Sequence, residues 1–388
     1  MSKIIIKMMT EQEFNNSQIE DYIANDSPKK SKRNQFILLI SGLLILIGSY
    51  FLIVTFFQSK KIDKPTKVIG EKDSVEKDSS DSVSEVVVGW DRQRLNKTLS
   101  EGVNFSDVSK NNQDAPKKKA GYGSYYVGAK SSVVIDVASG EILHYQDGRK
   151  RAAIASLTKM MTAILVAEKI PDWENEIVTI DEEAVRADGT KIGCPRSGYC
   201  ISNRLRVGEK ISVKSLMQAL LMNSANDAAI ALGKHIAGSQ AEFAKLMNKK
   251  AADLSLADTH FCNPSGLDDD ANPGACYSSA YDLALISRYS LKYDKIWEIM
   301  RQREKDVYSA DGQIVHHIIN TNVLLDQMPN CLGSKTGFTY EAGKSLMMGA
   351  YKPDNKNVKA IAVILDDEYR WEHVKNLFNW VFDAYEWE

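Results

Sequence analysis

The feature that most constrains this chain is where its hydrophobic period changes. Ser131 to Val137 and Glu141 to Tyr145 are apolar, β-branched runs split by Ala138-Ser139-Gly140, which reads as a hairpin. Strand-like segments return only at 313–319, 332–339, 344–350 and 358–365. Between them lies helix. Ile154 to Lys169 is apolar almost all round, so it should be buried. The segments 213–222, 227–237, 241–254, 279–293 and 294–303 carry helical periodicity, and Ser279 with Asp282 resembles a capping box. A last amphipathic helix places Val374, Leu377, Phe378, Val381 and Phe382 on one side. The simplest burial is an α+β fold: one antiparallel sheet built from N- and C-terminal strands, with flanking helices and an inserted helical lobe.

Composition is globular, at 44% hydrophobic and 26% charged residues. The net charge of -2 excludes nucleic acid as a partner, because no excess of Lys and Arg is present to neutralise phosphates. Residues 36–57 carry no charge, and about 20 apolar residues span a bilayer core. They are expected to be a single transmembrane helix. A cleaved signal peptide fits poorly, since a polar tail (1–35) precedes the run and no small-x-small site follows it. Lys29, Lys30, Lys32 and Arg33 before the span are matched by Lys60, Lys61, Lys64 and Lys67 after it, so the positive-inside rule does not set the orientation. Residues 58–120 are polar and charged and read as a solvated tether, leaving 121–388 as the folded domain.

Three short motifs follow one another in that domain: Ser156-Leu157-Thr158-Lys159, Ser224-Ala225-Asn226 and Lys335-Thr336-Gly337. A serine with a lysine three residues on shares one helix face with it, so the amine can reach the hydroxyl. Ser-x-x-Lys also occurs at Ser27 and Ser74, in charged sequence, but only Ser156 opens a buried helix. A solvated lysine titrates near 10.4 and is no base at neutral pH; burial and a second cation, for which Lys335 is the candidate, both depress it. Taken alone, Ser156 and Lys159 could equally be a capping serine and a surface lysine. Ser224–Asn226 interrupts a helical pattern and would present a hydroxyl beside an amide, or else form an ordinary turn. Lys335–Gly337 on a strand would let a ligand approach the backbone, or mark a bulge in an edge strand. In order and context, the triple is the signature of penicillin-binding proteins and related β-lactamases.

The sequence around these motifs resembles the low-molecular-weight penicillin-binding proteins, the serine D-Ala-D-Ala carboxypeptidases. The matching runs are 155–162, 223–228, 259–267, 320–325 and 335–339, and the resemblance covers roughly 125–385. It implies a DD-peptidase/β-lactamase-like fold and a membrane-anchored serine carboxypeptidase acting on peptidoglycan stem peptides. Ser156 would be the nucleophile and Lys159 its base, with Ser224 and Asn226 lining the cleft. Lys335, Thr336, Gly337 and Phe338 would lie beside the substrate, with the backbone N–H groups of Ser156 and Phe338 as the oxyanion hole. Arg370, just before the last helix, would meet the substrate carboxylate.

Because peptidoglycan lies outside the membrane, the resemblance also implies a cytoplasmic N-terminus and an extracytoplasmic catalytic domain. In that oxidising compartment Cys194 with Cys200, and Cys262 with Cys276, are candidate disulfides, with Cys331 left over. No Cys-x-x-Cys or His-Glu-x-x-His occurs, and His316-His317 on a strand would point to opposite faces, so no metal or cofactor is implied. β-Lactams would acylate the same serine. A class A β-lactamase is disfavoured because no Glu-x-x-Leu-Asn is present. A DD-endopeptidase, or a penicillin or muropeptide receptor without turnover, remain the alternatives.

Overall fold

The computed structural model describes residues 115–195, 199–268 and 271–387. The tail at 1–35, the expected span at 36–57 and the tether up to 114 lie outside them. Among the described residues no helix is long and apolar enough to cross a membrane.

A short strand β1 (Lys117–Lys118) leads to the hairpin of β2 (Ser131–Asp136) and β3 (Ile142–Gln146). A 3-10 turn, Ala155–Thr158, opens into α1 (Lys159–Lys169). The inserted lobe continues through β4 (Ile177–Thr179), α2 (Glu182–Val185), β5 (Lys210–Ser212) and α3 (Val213–Gln218). A π-helical turn, Ala219–Asn223, separates α3 from α4 (Asn226–Ala237), which is followed by α5 (Gln240–Asp253), α6 (Ala280–Ser290) and α7 (Asp294–Met300). Then come β6 (Glu304–Tyr308), β7 (Val315–Ile319), β8 (Cys331–Thr339), β9 (Gly343–Lys352), β10 (Asn355–Leu365), α8 (Arg370–Ala384) and β11 (Tyr385–Glu386).

The main sheet has the order β3-β2-β10-β9-β8, every neighbour antiparallel, so the first hairpin joins the last strands through the β2–β10 pairing. The strand period of two explains its layers. Val133 and Ile135 of β2, with Ile361 and Val363 of β10, face the helical lobe. Val134, Ala360, Ala362 and Ile364 face the opposite layer, where Val374, Leu377, Phe378 and Val381 of α8 close the core. Each fully buried Val, Leu, Ile or Phe among these contributes roughly 1.5–3 kcal/mol. Side chains that satisfy the first-turn N–H groups set helix starts: Ser212 accepts from Ser215 N, Ser239 from Glu242 N and Ser279 from Asp282 N. The Asp282 carboxylate does not complete a capping box; it accepts from Asp258 N and Thr259 Oγ1 instead.

Several expectations need correction. The segment 313–319 does not join the main sheet: β7 pairs with β6 in a separate hairpin, and His316 from β7 is buried against Glu209 of the lobe. The helix expected from Ile154 begins as a 3-10 turn because Ala155 sits at φ +45°. The helix at 213–222 ends in the π-helical turn that delivers Ser224 at φ +62°. Strand pairing also reaches Lys117, opposite Glu386, ahead of the expected domain start at 121.

Candidate active site

Ser156 owes its exposure to two glycines. Ala155 lies in the left-handed region at φ +45°, a conformation that costs an L-residue about 1–2 kcal/mol and persists only where its surroundings impose it. A Cβ on Gly266 would meet the Ala155 carbonyl oxygen at 1.9 Å, and one on Gly337 would meet the Ile154 carbonyl oxygen at 2.8 Å. The nucleophile turn is thus seated between a loop of the lobe and strand β8, at their junction. Leu157 is buried behind it while Ser156 faces a cleft of about 500 Å³.

One helical turn on, Lys159 is completely buried. Its Nζ lies 2.9 Å from Ser156 Oγ, 2.6 Å from Asn226 Oδ1 and 2.6 Å from the Ser265 carbonyl oxygen. Two of these partners can only accept. A neutral amine has two N–H groups and one lone pair, so the carbonyls take both N–H groups and the lone pair is left for the Ser156 hydroxyl proton. Burial holds the Lys159 pKa well below the lysine range, the cation of Lys335 pushes it further down, and Asp227 partly opposes them. These are the conditions for a general base near neutrality.

The second half of the site is a hydrogen-bonded relay. Lys335 projects from β8 on the same face as Met347, which puts it toward the lobe. Its Nζ donates to Ser224 Oγ at 2.7 Å and to the Thr336 carbonyl oxygen at 2.9 Å. Burial, then the guanidinium of Arg370, draw its pKa down to about 7. Thr336 Oγ1 lies 3.0 Å from Thr321 Oγ1. Arg370, the first residue of α8, donates through Nη1 to the carbonyl oxygens of Gly337 and Ser345, while its Nε is buried without a partner.

The structure therefore brings together every expected motif residue. Ser156, Ser224, Asn226, Thr336, Phe338 and Arg370 line the cleft, as does Gly337. Lys159 and Lys335 are buried behind the wall, each reaching the cleft through a serine hydroxyl. Cys194–Cys200 and Cys262–Cys276 are bonded, and Cys331 is a buried free thiol that accepts from Asn322 Nδ2. The two adjacent histidines diverge as expected: His316 contacts Glu209, and His317 contacts Asp306. Among the described residues no group of His, Cys, Asp and Glu could hold a metal ion.

Sequence reasoning missed the main-chain acceptors. The Ser265 carbonyl on Lys159 is aimed by Asn263, whose Oδ1 accepts from Ser265 N, Ser265 Oγ and Gly266 N. The Asp188 and Thr190 carbonyls take Asn226 Nδ2 and Asn226 N, each at 2.7 Å. The run Asn263-Pro264-Ser265-Gly266 was part of the family resemblance and was its only signal.

Comparison with known proteins shows which family the chain resembles. The chain is 34% identical over 264 residues to the D-alanyl-D-alanine carboxypeptidase DacF of Bacillus subtilis, covering 66% of this chain and 63% of the relative. It is 32% identical over 256 residues to DacD of Escherichia coli, covering 65% and 62% respectively. The chain thus spans somewhat under two thirds of the length of these curated relatives. Among solved structures, it is similar to a D-alanyl-D-alanine carboxypeptidase of Mycobacterium tuberculosis (TM-score 0.60, 26% identity, 69% of this chain and 96% of that one). It is also similar to penicillin-binding protein D2 of Listeria monocytogenes in its ampicillin-bound form (TM-score 0.56, 31% identity, 67% of this chain and all of that one). Residues 117–369 match the Peptidase S11 family, described as D-alanyl-D-alanine carboxypeptidase, and the chain belongs to that family.

Proposed function

We propose that this chain is a membrane-anchored serine DD-carboxypeptidase that removes the terminal D-Ala of peptidoglycan stem peptides through an acyl-enzyme on Ser156. The observation that carries the reading is the buried Lys159 amine, 2.9 Å from Ser156 Oγ, with two carbonyl acceptors that leave the lone pair of its neutral form for the Ser156 hydroxyl proton. The names of the curated relatives and the family match support the substrate class.

In the first step Lys159 takes the Ser156 proton as Oγ bonds to the penultimate D-Ala carbonyl carbon. As the C=O π bond opens, the negative charge on the substrate's carbonyl oxygen is held by the backbone N–H groups of Ser156 and Phe338. The C–N bond then breaks, and the departing amine of D-Ala receives a proton from Ser224, which is resupplied by Lys335 at 2.7 Å. Thr336 and Arg370, which both line the cleft, hold the terminal carboxylate, a task suited to a guanidinium. Before the second step Lys159 gives up the Ser156 proton to solvent and Lys335 regains one. Water, deprotonated by Lys159, then adds to the ester carbonyl, the C–O bond breaks, and Ser156 Oγ takes that proton back from Lys159. β-Lactams acylate the same serine, a reading supported by the ampicillin-bound Listeria relative. The charge-free run at 36–57 supports a bilayer anchor, and a wall substrate requires 58–388 to lie outside it.

The test is to incubate the full chain with a pentapeptide ending in D-Ala-D-Ala and, separately, with a cross-linked muropeptide dimer. Free D-Ala from the pentapeptide is expected. Cleavage of the dimer alone would make the protein an endopeptidase, and penicillin labelling without release of either product would make it a receptor.

A further inference from the structure

Asp227 follows the cleft residue Asn226 in sequence, but its side chain turns away from the cleft and is almost fully buried, at 1% exposure. One carboxylate oxygen accepts from Ala228 N at 2.9 Å, and both accept from Ile192 N, at 3.1 and 3.2 Å. Ile192 belongs to the segment that supplies the two carbonyls on Asn226, those of Asp188 and Thr190. Gly189, between them at φ +73°, packs so closely that a Cβ there would lie 2.9 Å from Asn226 Nδ2. Just beyond Ile192 the segment closes on itself, with Lys191 and Cys194 exchanging both backbone hydrogen bonds at the base of the Cys194–Cys200 disulfide.

The Asn226 amide can therefore face only one way. With Nδ2 on the Asp188 carbonyl, Oδ1 meets Lys159 Nζ at 2.6 Å. A flipped amide would set oxygen against oxygen on one side and N–H against N–H on the other. Orientation depends on where the 188–192 segment sits; Asp227 holds it from α4, and Lys191 Nζ ties it to the Val185 carbonyl at 2.8 Å.

We propose that Asp227 is a positioning residue for Ser156 acylation: by clamping Ile192 it fixes the 188–190 carbonyls on Asn226, and so holds the Lys159 lone pair on the nucleophile. This rests on the carboxypeptidase reading. Nothing in the family match or the relatives' names assigns Asp227 a role. Its charge acts on the same site. The charged groups that bear on Asp227 are Lys191 and His316, and those that bear on Lys159 are Lys335 and Asp227 itself. Burial draws the Asp227 pKa up to about 6, so it is above that pH that its carboxylate raises the Lys159 pKa and that removing the charge lets the amine stay neutral to lower pH.

The experiment measures the second-order acylation rate of the full chain with a fluorescent penicillin from pH 5 to 9, per molecule folded by near-ultraviolet circular dichroism. Asp227→Leu, which removes both acceptors, is expected to slow acylation at least about tenfold, the kinetic equivalent of one lost hydrogen bond. Asp227→Asn, which keeps one acceptor, should recover most of that loss and move the acid limb to lower pH. If Asp227→Leu does not fold, Gly189→Ala replaces it, since it displaces the segment from Asn226 with the carboxylate intact and should also slow acylation. A wild-type rate per folded Asp227→Leu or Gly189→Ala molecule, or an Asp227→Asn profile superimposed on wild type, overturns the proposal while leaving the enzyme reading standing. Failure of the wild type itself to acylate overturns both.

Discussion

Gly266 gives the sharpest prediction, because one methyl group there strikes the nucleophile turn itself. It sits at φ +78°, and a Cβ would lie 1.9 Å from the Ala155 carbonyl oxygen and 2.6 Å from Thr158 Oγ1. Ordinary contact begins near 3.4 Å, so the turn or the loop must retreat by about 1.5 Å. Gly238, at φ +80° with nothing within 4 Å among the described residues, isolates the backbone contribution. Gly238→Ala should cost about 1–2 kcal/mol from the left-handed conformation alone. Gly266→Ala carries that cost plus about 1–3 kcal/mol of overpacking. Its larger effect is on chemistry. Gly266 is bonded to Ser265, whose carbonyl holds Lys159, and a misplacement of about 1 Å can slow a reaction about a hundredfold. The assay pairs thermal melting of each variant with its rate of acylation by a fluorescent penicillin. Gly266→Ala should melt below Gly238→Ala and acylate about a hundredfold more slowly, whereas Gly238→Ala acylates like wild type. Equal melting temperatures and equal rates would refute the packing account of the nucleophile turn.

Two further outcomes follow from the buried lysines. Lys335→Met removes the cation that depresses Lys159 and the donor on Ser224, so acylation should slow and its acid limb should move to higher pH; an unmoved limb would show that the two amines do not interact. Lys335 has a folded pKa of about 7 against an ordinary value of 10.5, and Lys159 is shifted the same way, so the unfolded chain holds more protons between those limits. Stability should then rise from pH 7 to pH 9, and the slope should shrink in Lys335→Met; urea midpoints at constant ionic strength that fall over this window would contradict the assignment.

The fold was legible where a pattern was long. The β2–β3 hairpin, the late strands β8 to β10 and the apolar stripe of α8 each repeat their period often enough to be read. Three-residue strands such as β4 and β5 carry no period, and β7 has a strand's pattern that cannot say which sheet it joins. At the site, the side chains were legible because their chemistry is specific: only a lysine beside a serine could serve as Lys159 does. The carbonyls of Ser265, Asp188 and Thr190 were not, because every residue carries one and only tertiary structure aims it. The left-handed turn at Ala155 was hidden for the same reason, since nothing in alanine calls for it and the glycines that enforce it lie far away in sequence.

The central claim is that Ser156 is the nucleophile of a turnover reaction. Its most direct measurement is the release of D-Ala from a D-Ala-D-Ala pentapeptide by the full chain, compared with Ser156→Ala, while mass spectrometry locates the penicilloyl group on the wild type. The account predicts multiple turnovers by wild type, none by Ser156→Ala, and an adduct on the peptide containing Ser156. D-Ala release that survives Ser156→Ala, or an adduct on another residue, would contradict it.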